Sequence, residues 1–320
     1  MTFVRTVLGD MAPDSLGITY SHEHLVIDGG RPVLLEPEFD LGDVDAMAAE
    51  VAGATALGLR TVIDAMPCDA GRNVQKLAEL SRRTGVNIVA PTGLHHDRYY
   101  GPAHWSHRLS EADLAELFTL DITDGIDAND YSGPVVARTT YRAGVIKVAG
   151  SDGGPSPRDA RVMIAAAEAH RRTGAPILTH CEHGTGALEQ IQLLGDHGVA
   201  PGHIALSHVD KVVDRGYHRE LLSTGAFAEY DGAFRWGDAP NGTVQCILWM
   251  AEDGLADQVL LGSDAARRRY YRVYGGAPGL DYLLGGFTTL LDEAGVTAET
   301  RHRSFVTNPA RAFAFAPRSA

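Results

Sequence analysis

Short apolar runs rich in β-branched residues alternate with amphipathic helical stretches along the chain, and this alternation most constrains the fold. A first run ends at His22–His24, and seven more follow: Thr61–Ala65, Asn87–Thr92, Gly144–Val148, Pro176–His180, His203–His208, Ala226–Tyr230 and Gln258–Gly262. Strands separated by helices pair in parallel, because each helix returns the chain to the same end of the sheet. Eight strand–helix units in 320 residues predict an α/β fold, a single (β/α)8 TIM barrel.

The stretches between the strands carry the signals of helix ends. Helical periodicity covers four clear segments: Val44–Leu57, Asn73–Arg83, Arg158–Arg172 and Gly186–His197. Gly85 and Gly174 stand where helices should stop, and Ser110 with Asp113 has the spacing of an N-terminal cap. Because no Ser-, Pro- or charge-rich linker divides the chain, we expect one domain over residues 1–320.

Composition and charge exclude several classes of function. No apolar stretch is long enough for a signal peptide or a bilayer-spanning helix, so we expect a cytoplasmic protein without a membrane partner. The formal net charge of −13 disfavours nonspecific binding to nucleic acid or anionic membranes. Cys68, Cys181 and Cys246 cannot all pair, which predicts reduced thiols rather than a disulfide framework.

Histidine and aspartate residues mark the ends of several predicted strands. His22 and His24 are two residues apart, so on a strand both face the same side and can bind one metal. His180, His208 and Asp264 follow the ends of later strands. The carboxyl ends of barrel strands meet at one rim, where active sites lie, so these side chains predict a metal centre. Imidazole and carboxylate ligands favour Zn, Mn, Co or Fe over Ca.

Lys147 lies within the otherwise apolar fourth strand, Gly144–Val148. A buried ammonium group is costly unless it is paired or loses its charge. An ion-paired or snorkelling lysine is one interpretation. The other is a neutral amine that reacts with carbon dioxide beside two divalent cations, giving an N6-carboxylated Lys147 that bridges them.

Taken together, these residues resemble the phosphotriesterase-like branch of the amidohydrolase superfamily. The opening signature lies in Thr6–Asp10 and Leu16–Leu25, and the later positions match in order. The resemblance implies a metal-dependent TIM barrel with two divalent ions, zinc being preferred and manganese or cobalt the alternatives. The implied binuclear metal centre consists of three sets of ligands: His22, His24 and Asp264 on one ion, His180 and His208 on the other, and carboxylated Lys147 with a hydroxide between them.

The chemistry of such a centre indicates a hydrolase. Two cations lower the pKa of a bridging water, so that a hydroxide is available to attack a carbonyl or phosphoryl group. Asp264 is the expected catalytic residue, because a ligand beside the hydroxide can take its proton and pass it to the leaving oxygen. Asp231 is expected to orient a ligand histidine, and a capping role is its alternative.

The segment after Asp264 is basic in an otherwise acidic protein, with three arginines and two tyrosines at residues 267–271. Guanidinium and phenol groups bind phosphate or carboxylate well, although a solvated charge run is the alternative. The segment resembles a subgroup of the family that hydrolyses phosphorylated sugar lactones. That resemblance implies that Arg267, Tyr270 and Lys211 contact the substrate phosphate.

Further substrate contacts are expected from the loop after strand three, where His95, Tyr99 and Tyr100 can line the pocket. Loop packing is the alternative for these rings. Gly232 stands where true triesterases carry a bulky His or Arg, and it is expected to leave space for the substrate.

The sequence therefore predicts a binuclear metal-dependent lactonase that opens a phosphorylated sugar 1,4-lactone, an aldonolactone 5-phosphate. A phosphotriesterase or an N-acyl-homoserine lactonase is the alternative, but either would prefer a neutral, apolar substrate, and the basic segment argues against that. A noncatalytic protein that binds metal or sugar phosphate is a further alternative. The oligomeric state is left open, with a homodimer as one candidate.

Overall fold

The eight predicted barrel strands are present in the computed structural model, which describes residues 2–237 and 240–317. A short hairpin precedes them, and the third predicted strand is divided in two. The strands are β1 (Val4–Thr6), β2 (Gly9–Met11), β3 (Ile18–Glu23), β4 (Leu59–Asp64), β5 (Asn87–Val89), β6 (Pro91–Gly93), β7 (Val145–Gly150), β8 (Ile177–Cys181), β9 (Ile204–Ser207), β10 (Phe227–Tyr230) and β11 (Val259–Leu261).

Two groups of parallel strands make up the barrel, one ordered β3-β4-β5 and the other running in sequence from β6 to β11. They separate at Ala90 because Pro91 has no N–H for the ladder, and the Ala90 carbonyl accepts from Gly144 instead, at 2.8 Å. At the other seam, the amides of Ser263 and Asp264 donate to the His22 carbonyl at 3.2 and 3.0 Å. The predicted TIM barrel is confirmed.

Helices follow the barrel strands as the sequence predicts. They are α1 (Gly30–Leu35), α2 (Val44–Ala56), α3 (Val74–Thr84), α4 (Glu111–Thr123), α5 (Pro157–Thr173), α6 (Ala187–Asp196), α7 (Arg215–Ser223), α8 (Gly242–Glu252), α9 (Gly286–Glu293), α10 (Ala298–His302) and α11 (Asn308–Ala312). Ser110 and Asp113 form a reciprocal cap at the start of α4. Gly85 and Gly174 end α3 and α5 in the left-handed conformation.

The hairpin of β1 and β2 is a feature that strand–helix alternation does not predict. The amide of Val7 donates to the Ile88 carbonyl at 2.8 Å, and Phe3 stacks on Phe315 with ring centres 4.5 Å apart.

None of the described helices has the length and apolar character needed to cross a lipid bilayer. The single domain over residues 1–320 stays a prediction, and residues 1, 238–239 and 318–320 lie outside the described part.

A layer of apolar side chains fills the barrel interior. It is formed by Ile63, Val89, Val145, Leu178, Ala205, Phe227 and Leu260, and Val4, Leu16 and Phe313 pack in the same cluster. Alternate residues of a strand face the same side, so the side chains two positions further along also face inward. Those next positions include Lys147, His180, Ser207 and Glu229, at the carboxyl end of the barrel. The apolar layer thus supports a polar one.

Gly93, on β6, should be essential for this packing. Its φ is +102°, and a Cβ there would overlap the backbone carbonyl of Lys147 on β7. Gly93→Ala should cost about 2–5 kcal/mol of unfolding free energy, because overpacking of about 1–3 kcal/mol adds to a left-handed penalty of about 1–2 kcal/mol. Chemical denaturation measures this cost.

Gly85→Ala is the matched control for this prediction. Its φ is +72°, but no heavy atom lies within 4 Å of the added Cβ. It should therefore cost only the left-handed penalty of about 1–2 kcal/mol. Equal destabilisation by the two variants would contradict the proposed clash with Lys147.

Candidate metal centre

His22, His24 and Asp264 meet at the seam where the barrel closes. Nε2 of His24 lies 3.2 Å from Oδ1 of Asp264, and Nε2 of His22 lies 3.7 Å from the same oxygen. Asp264 has a φ of +47°, a left-handed conformation that aspartate tolerates better than most residues. One ligand atom from each of the three side chains lies within 4.8 Å of the others, so they could hold one metal ion.

His180 and His208 form a second pair, in which Nδ1 of His180 faces Nε2 of His208 at 2.8 Å. The other nitrogen of each ring contacts a carboxylate: His208 Nδ1 lies 2.8 Å from Asp231, and His180 Nε2 lies 2.7 Å from Glu182. Burial lowers the pKa of both imidazoles, that of His208 to about 4. Both rings are therefore neutral, and each has one proton to donate.

This arrangement leaves two lone pairs facing each other. If each ring donates its only proton to its carboxylate, then His180 Nδ1 and His208 Nε2 are both unprotonated. Two such nitrogens 2.8 Å apart repel each other unless a proton or a cation lies between or beside them. The donor set therefore fits a divalent metal ion bound by the two imidazoles.

Asp231 connects the two groups of histidines. Its Oδ2 accepts from His22 Nδ1 at 2.9 Å, while its Oδ1 accepts from His208 Nδ1 at 2.8 Å. Burial alone would raise the pKa of Asp231, but the contacts with His208 and His22 outweigh it and hold the pKa below its usual range. One carboxylate thus faces a histidine from each predicted metal site, and these three residues also form a group that could hold an ion.

Lys147 is completely buried, and the only hydrogen bond that its Nζ makes within the described residues is donated to Ser207 Oγ at 3.2 Å. Ser207 in turn donates to Oε2 of Glu229 at 2.9 Å, and Oε1 of Glu229 has no hydrogen-bond partner there. Burial lowers the pKa of Lys147, although Glu229, Asp231 and Asp264 act in the opposite direction. A buried amine with reduced basicity fits the carbamate that the sequence predicts.

A cavity of about 270 Å³ opens above these side chains. Of the predicted substrate contacts, His95, Tyr99, Lys211 and Arg267 line it, together with the candidate metal ligands His22, His24, His180, His208 and Asp264. Other wall residues are Phe39, Met66, Arg98, Glu182, His183, Arg235 and Ala266. Lys147 and Asp231 lie beneath the wall rather than in it.

Tyr100 and Tyr270 do not line the cavity, so the structure does not place these two predicted substrate residues at its wall. The Tyr100 hydroxyl donates to the Cys68 carbonyl at 3.0 Å and accepts from the His95 amide at 2.8 Å, which makes it a support for the loop. Tyr270 packs edge-on against Phe234, with ring centres 5.0 Å apart.

Gly232 does not line the cavity, and a Cβ there would lie 2.9 Å from Oδ2 of the buried Asp210, so the substrate space expected at Gly232 stays a prediction. The predicted free thiols are confirmed: Cys68, Cys181 and Cys246 are buried and unpaired.

Several site residues were not assigned a role from the sequence. Glu229 could have been found, because it follows the interior residue Phe227 by two positions on β10 and so faces the same side. Arg235 follows β10 in an irregular segment, where no periodicity indicates direction. Its Nη2 donates to the backbone carbonyl and to Oδ2 of Asp264, at 2.6 and 3.0 Å.

The sequence profile of the Phosphotriesterase family matches residues 2–313. The chain belongs to the phosphotriesterase family. This family consists of binuclear metal enzymes, and the His/Asp/Glu groups described above could hold metal ions. The chain is thus a hydrolase of this family.

Among its relatives in the phosphotriesterase family is the phospho-furanose lactonase of Mycoplasmopsis synoviae, 32% identical over 324 residues that cover 98% of this chain and 92% of the relative. The crystal structure of an amidohydrolase from Mycoplasma synoviae has a TM-score of 0.95 at 32% identity, covering 99% of this chain and 93% of that one. A lactonase from Listeria monocytogenes has a TM-score of 0.90 at 31% identity, with 98% and 100% coverage.

Divalent metal should stabilise the folded protein if these groups bind it. Zn²⁺ added to chelator-treated protein at 100 times its Kd should contribute about 2.7 kcal/mol, because the ion binds the folded chain and not the unfolded one. The thermal unfolding midpoint, followed by calorimetry, should rise by several degrees. Asp264→Ala should lose much of this rise, whereas His183→Ala, at a side chain 71% exposed, should keep it. An equal rise in both variants would count against the site.

Proposed function

We propose that the protein is a binuclear metal-dependent lactonase that opens a 1,4-lactone of a sugar acid carrying a terminal phosphate. The observation that carries this proposal is the convergence of the candidate ligands beneath a cavity whose wall includes four cationic side chains: Arg98, Lys211, Arg235 and Arg267. The names phospho-furanose lactonase and lactonase, given to the relatives in Mycoplasmopsis and Listeria, support the same substrate class.

The proposed ligand sets follow the two groups of side chains. They are His22, His24 and Asp264 for one ion, and His180 and His208 for the other, with carboxylated Lys147 as the bridge. Zinc is the preferred metal, with manganese and cobalt as alternatives. Such ions would supply Lewis-acid polarisation of the lactone carbonyl and a water of lowered pKa.

The residues of the chain then have distinct tasks. Asp231 holds the rings of His22 and His208 in fixed orientations through its two oxygens. Asp264 takes the proton of the attacking water and passes it to the ring oxygen of the lactone. A bond forms between the water oxygen and the carbonyl carbon, the bond from that carbon to the ring oxygen breaks, and the product is a hydroxy acid.

The cations of the cavity wall differ in what they already contact. Arg267 is paired with Glu36 at 2.8 Å, and Arg235 with Asp264 at 3.0 Å. Lys211 has no ion pair among the described residues, and this exposed residue of the cavity wall can meet a phosphate dianion. We propose that Lys211 and Arg267 hold the phosphate.

A phosphotriesterase or an N-acyl-homoserine lactonase is the second candidate, and it would act on a neutral, apolar substrate. Phe39 and Met66 provide apolar wall for such a compound, but the surrounding cations favour an anion.

The cytoplasmic location and the homodimer stay predictions, and sedimentation of the purified protein would test the homodimer.

The proposed bridge gives a direct test at Lys147. Metal analysis of the wild type should find about two ions per chain when bicarbonate is present during loading. Lys147→Ala should lose most of the metal and most of the activity, and a short carboxylic acid at high concentration should restore part of both by replacing the carbamate. Native mass spectrometry of the loaded wild type should detect the added carboxyl group. A fully active enzyme with an unmodified Lys147 and one ion would contradict the bridged centre.

Arg267→Ala tests the substrate class. Charge-assisted hydrogen bonds to an anion are worth about 1.5–3 kcal/mol, so this variant should lose about ten- to a hundredfold in kcat/KM on a phosphorylated lactone. Hydrolysis of the unphosphorylated lactone should scarcely change, and the metal content should stay intact. Steady-state kinetics on the matched pair of substrates measures both effects.

Arg268→Ala is the matched control for Arg267. Arg268 is the next residue along the chain and pairs with Asp40 at 2.9 Å, but it does not line the cavity. Its loss should leave both rates near those of the wild type. If Arg267→Ala slows both substrates equally, the phosphate assignment is wrong, although the metallohydrolase remains.

A further inference from the structure

Glu182 follows β8 directly and was not singled out by the sequence. Its Oε2 lies 2.7 Å from Nε2 of His180 and 3.2 Å from Nε2 of His96. Arg98 donates to both carboxylate oxygens, at 3.0 and 3.3 Å. Three side chains from two different segments therefore converge on one carboxylate at the cavity wall.

Glu182 provides a carboxylate partner for a third of the four candidate ligand histidines, while Nδ1 of His24 has no hydrogen-bond partner among the described residues. Asp231 reaches the free ring nitrogens of His22 and His208, but His180 lies beyond its reach and contacts Glu182 instead. An imidazole that binds metal through one nitrogen needs a partner at the other nitrogen to fix its tautomer and its ring plane. Without Glu182, the ring of His180 would be free to rotate or to present its protonated nitrogen to the metal.

We propose that Glu182 is a positioning residue that holds His180 in the orientation and tautomer required for metal binding, and that Arg98 holds Glu182 in place. This inference rests on the proposed binuclear centre. Arg98 also connects Glu182 to the substrate loop, because Arg98 belongs to the same loop as His95 and Tyr99, which line the cavity. Order in the substrate loop is thereby coupled to order in one metal site.

A direct role as a metal ligand is the competing interpretation. His96, His180 and Glu182 each offer a ligand atom, and these atoms lie within 4.8 Å of one another. The two interpretations differ in the expected stoichiometry. A positioning residue changes the affinity of an ion that His180 and His208 bind, whereas a direct ligand would add an ion beyond the two.

The experiment compares Glu182→Ala and Glu182→Gln in the full chain, with Glu189→Gln as control. Glu189 is exposed on the neighbouring helix α6 and does not line the cavity. Each protein is stripped with a chelator and titrated with Zn²⁺ against a chelating dye, and Co²⁺ loading is followed by its visible absorption. Thermal unfolding of the metal-free proteins checks that each variant is folded. If Glu182→Ala is not folded, the comparison uses Glu182→Gln alone.

We expect Glu182→Ala to weaken one of the two ions by about 10- to 100-fold and to leave the other unchanged. Glu182→Gln keeps an oxygen that can accept from Nε2 of His180, so it should weaken the same ion less and restore most of the Co²⁺ spectrum. Arg98→Ala should have a smaller effect in the same direction. The control should match the wild type.

Unchanged affinities and spectra in both Glu182 variants would overturn the inference while leaving the binuclear centre intact. The loss of a third ion from a wild type that binds three would replace the positioning role with a ligand role. A wild type that fails to bind two ions would overturn both this inference and the proposed function.

Discussion

The arrangement of side chains at the barrel mouth depends on the contact between His180 and His208. An imidazole nitrogen of His180 faces one of His208 at 2.8 Å. Lone pairs at that separation are unfavourable in a buried site, where water cannot screen them. The carboxylates of Glu182 and Asp231 strengthen this repulsion when each ring donates its single proton to its carboxylate, since no proton is then left to bridge the two rings. The stable solution is a cation, and the fold supplies the rigid strands that keep the nitrogens together.

The barrel achieves this through one simple rule, the alternation of side chains along each strand. Leu178 packs in the apolar layer, and His180, two residues later, reaches the centre; Val145 and Lys147 are related in the same way. This is why the barrel fold and the inward direction of His22, Lys147 and His180 could be predicted from the sequence. The other candidate site residues lie just beyond the strand ends: His24, His208, Asp231 and Asp264. Where a side chain sits on a barrel strand, its direction follows from its position in the sequence.

Residues outside the strands were harder to place. Tyr100 and Tyr270 belong to irregular segments, and short turns of backbone decide where their rings point. Glu182 and Arg235 were missed for the same reason. Both reach the candidate metal centre from loops, where the sequence carries no periodic signal. The exact partners of such residues depend on contacts between distant segments, such as Arg98 with Glu182, which lie 84 positions apart.

The pairing of Arg267 with Glu36 means that the proposed phosphate site already contains an anion of its own. A phosphate that took the place of Glu36 on Arg267 would exchange with a carboxylate rather than neutralise a bare cation. Such an exchange alters the local charge less than simple association would, so it releases fewer counterions and depends less on ionic strength. The carboxylate of Glu36 also competes with any incoming anion for Arg267. A singly charged anion gains little binding free energy by replacing it, whereas a dianion gains more. Selectivity for doubly charged ligands can thus arise from an acidic side chain.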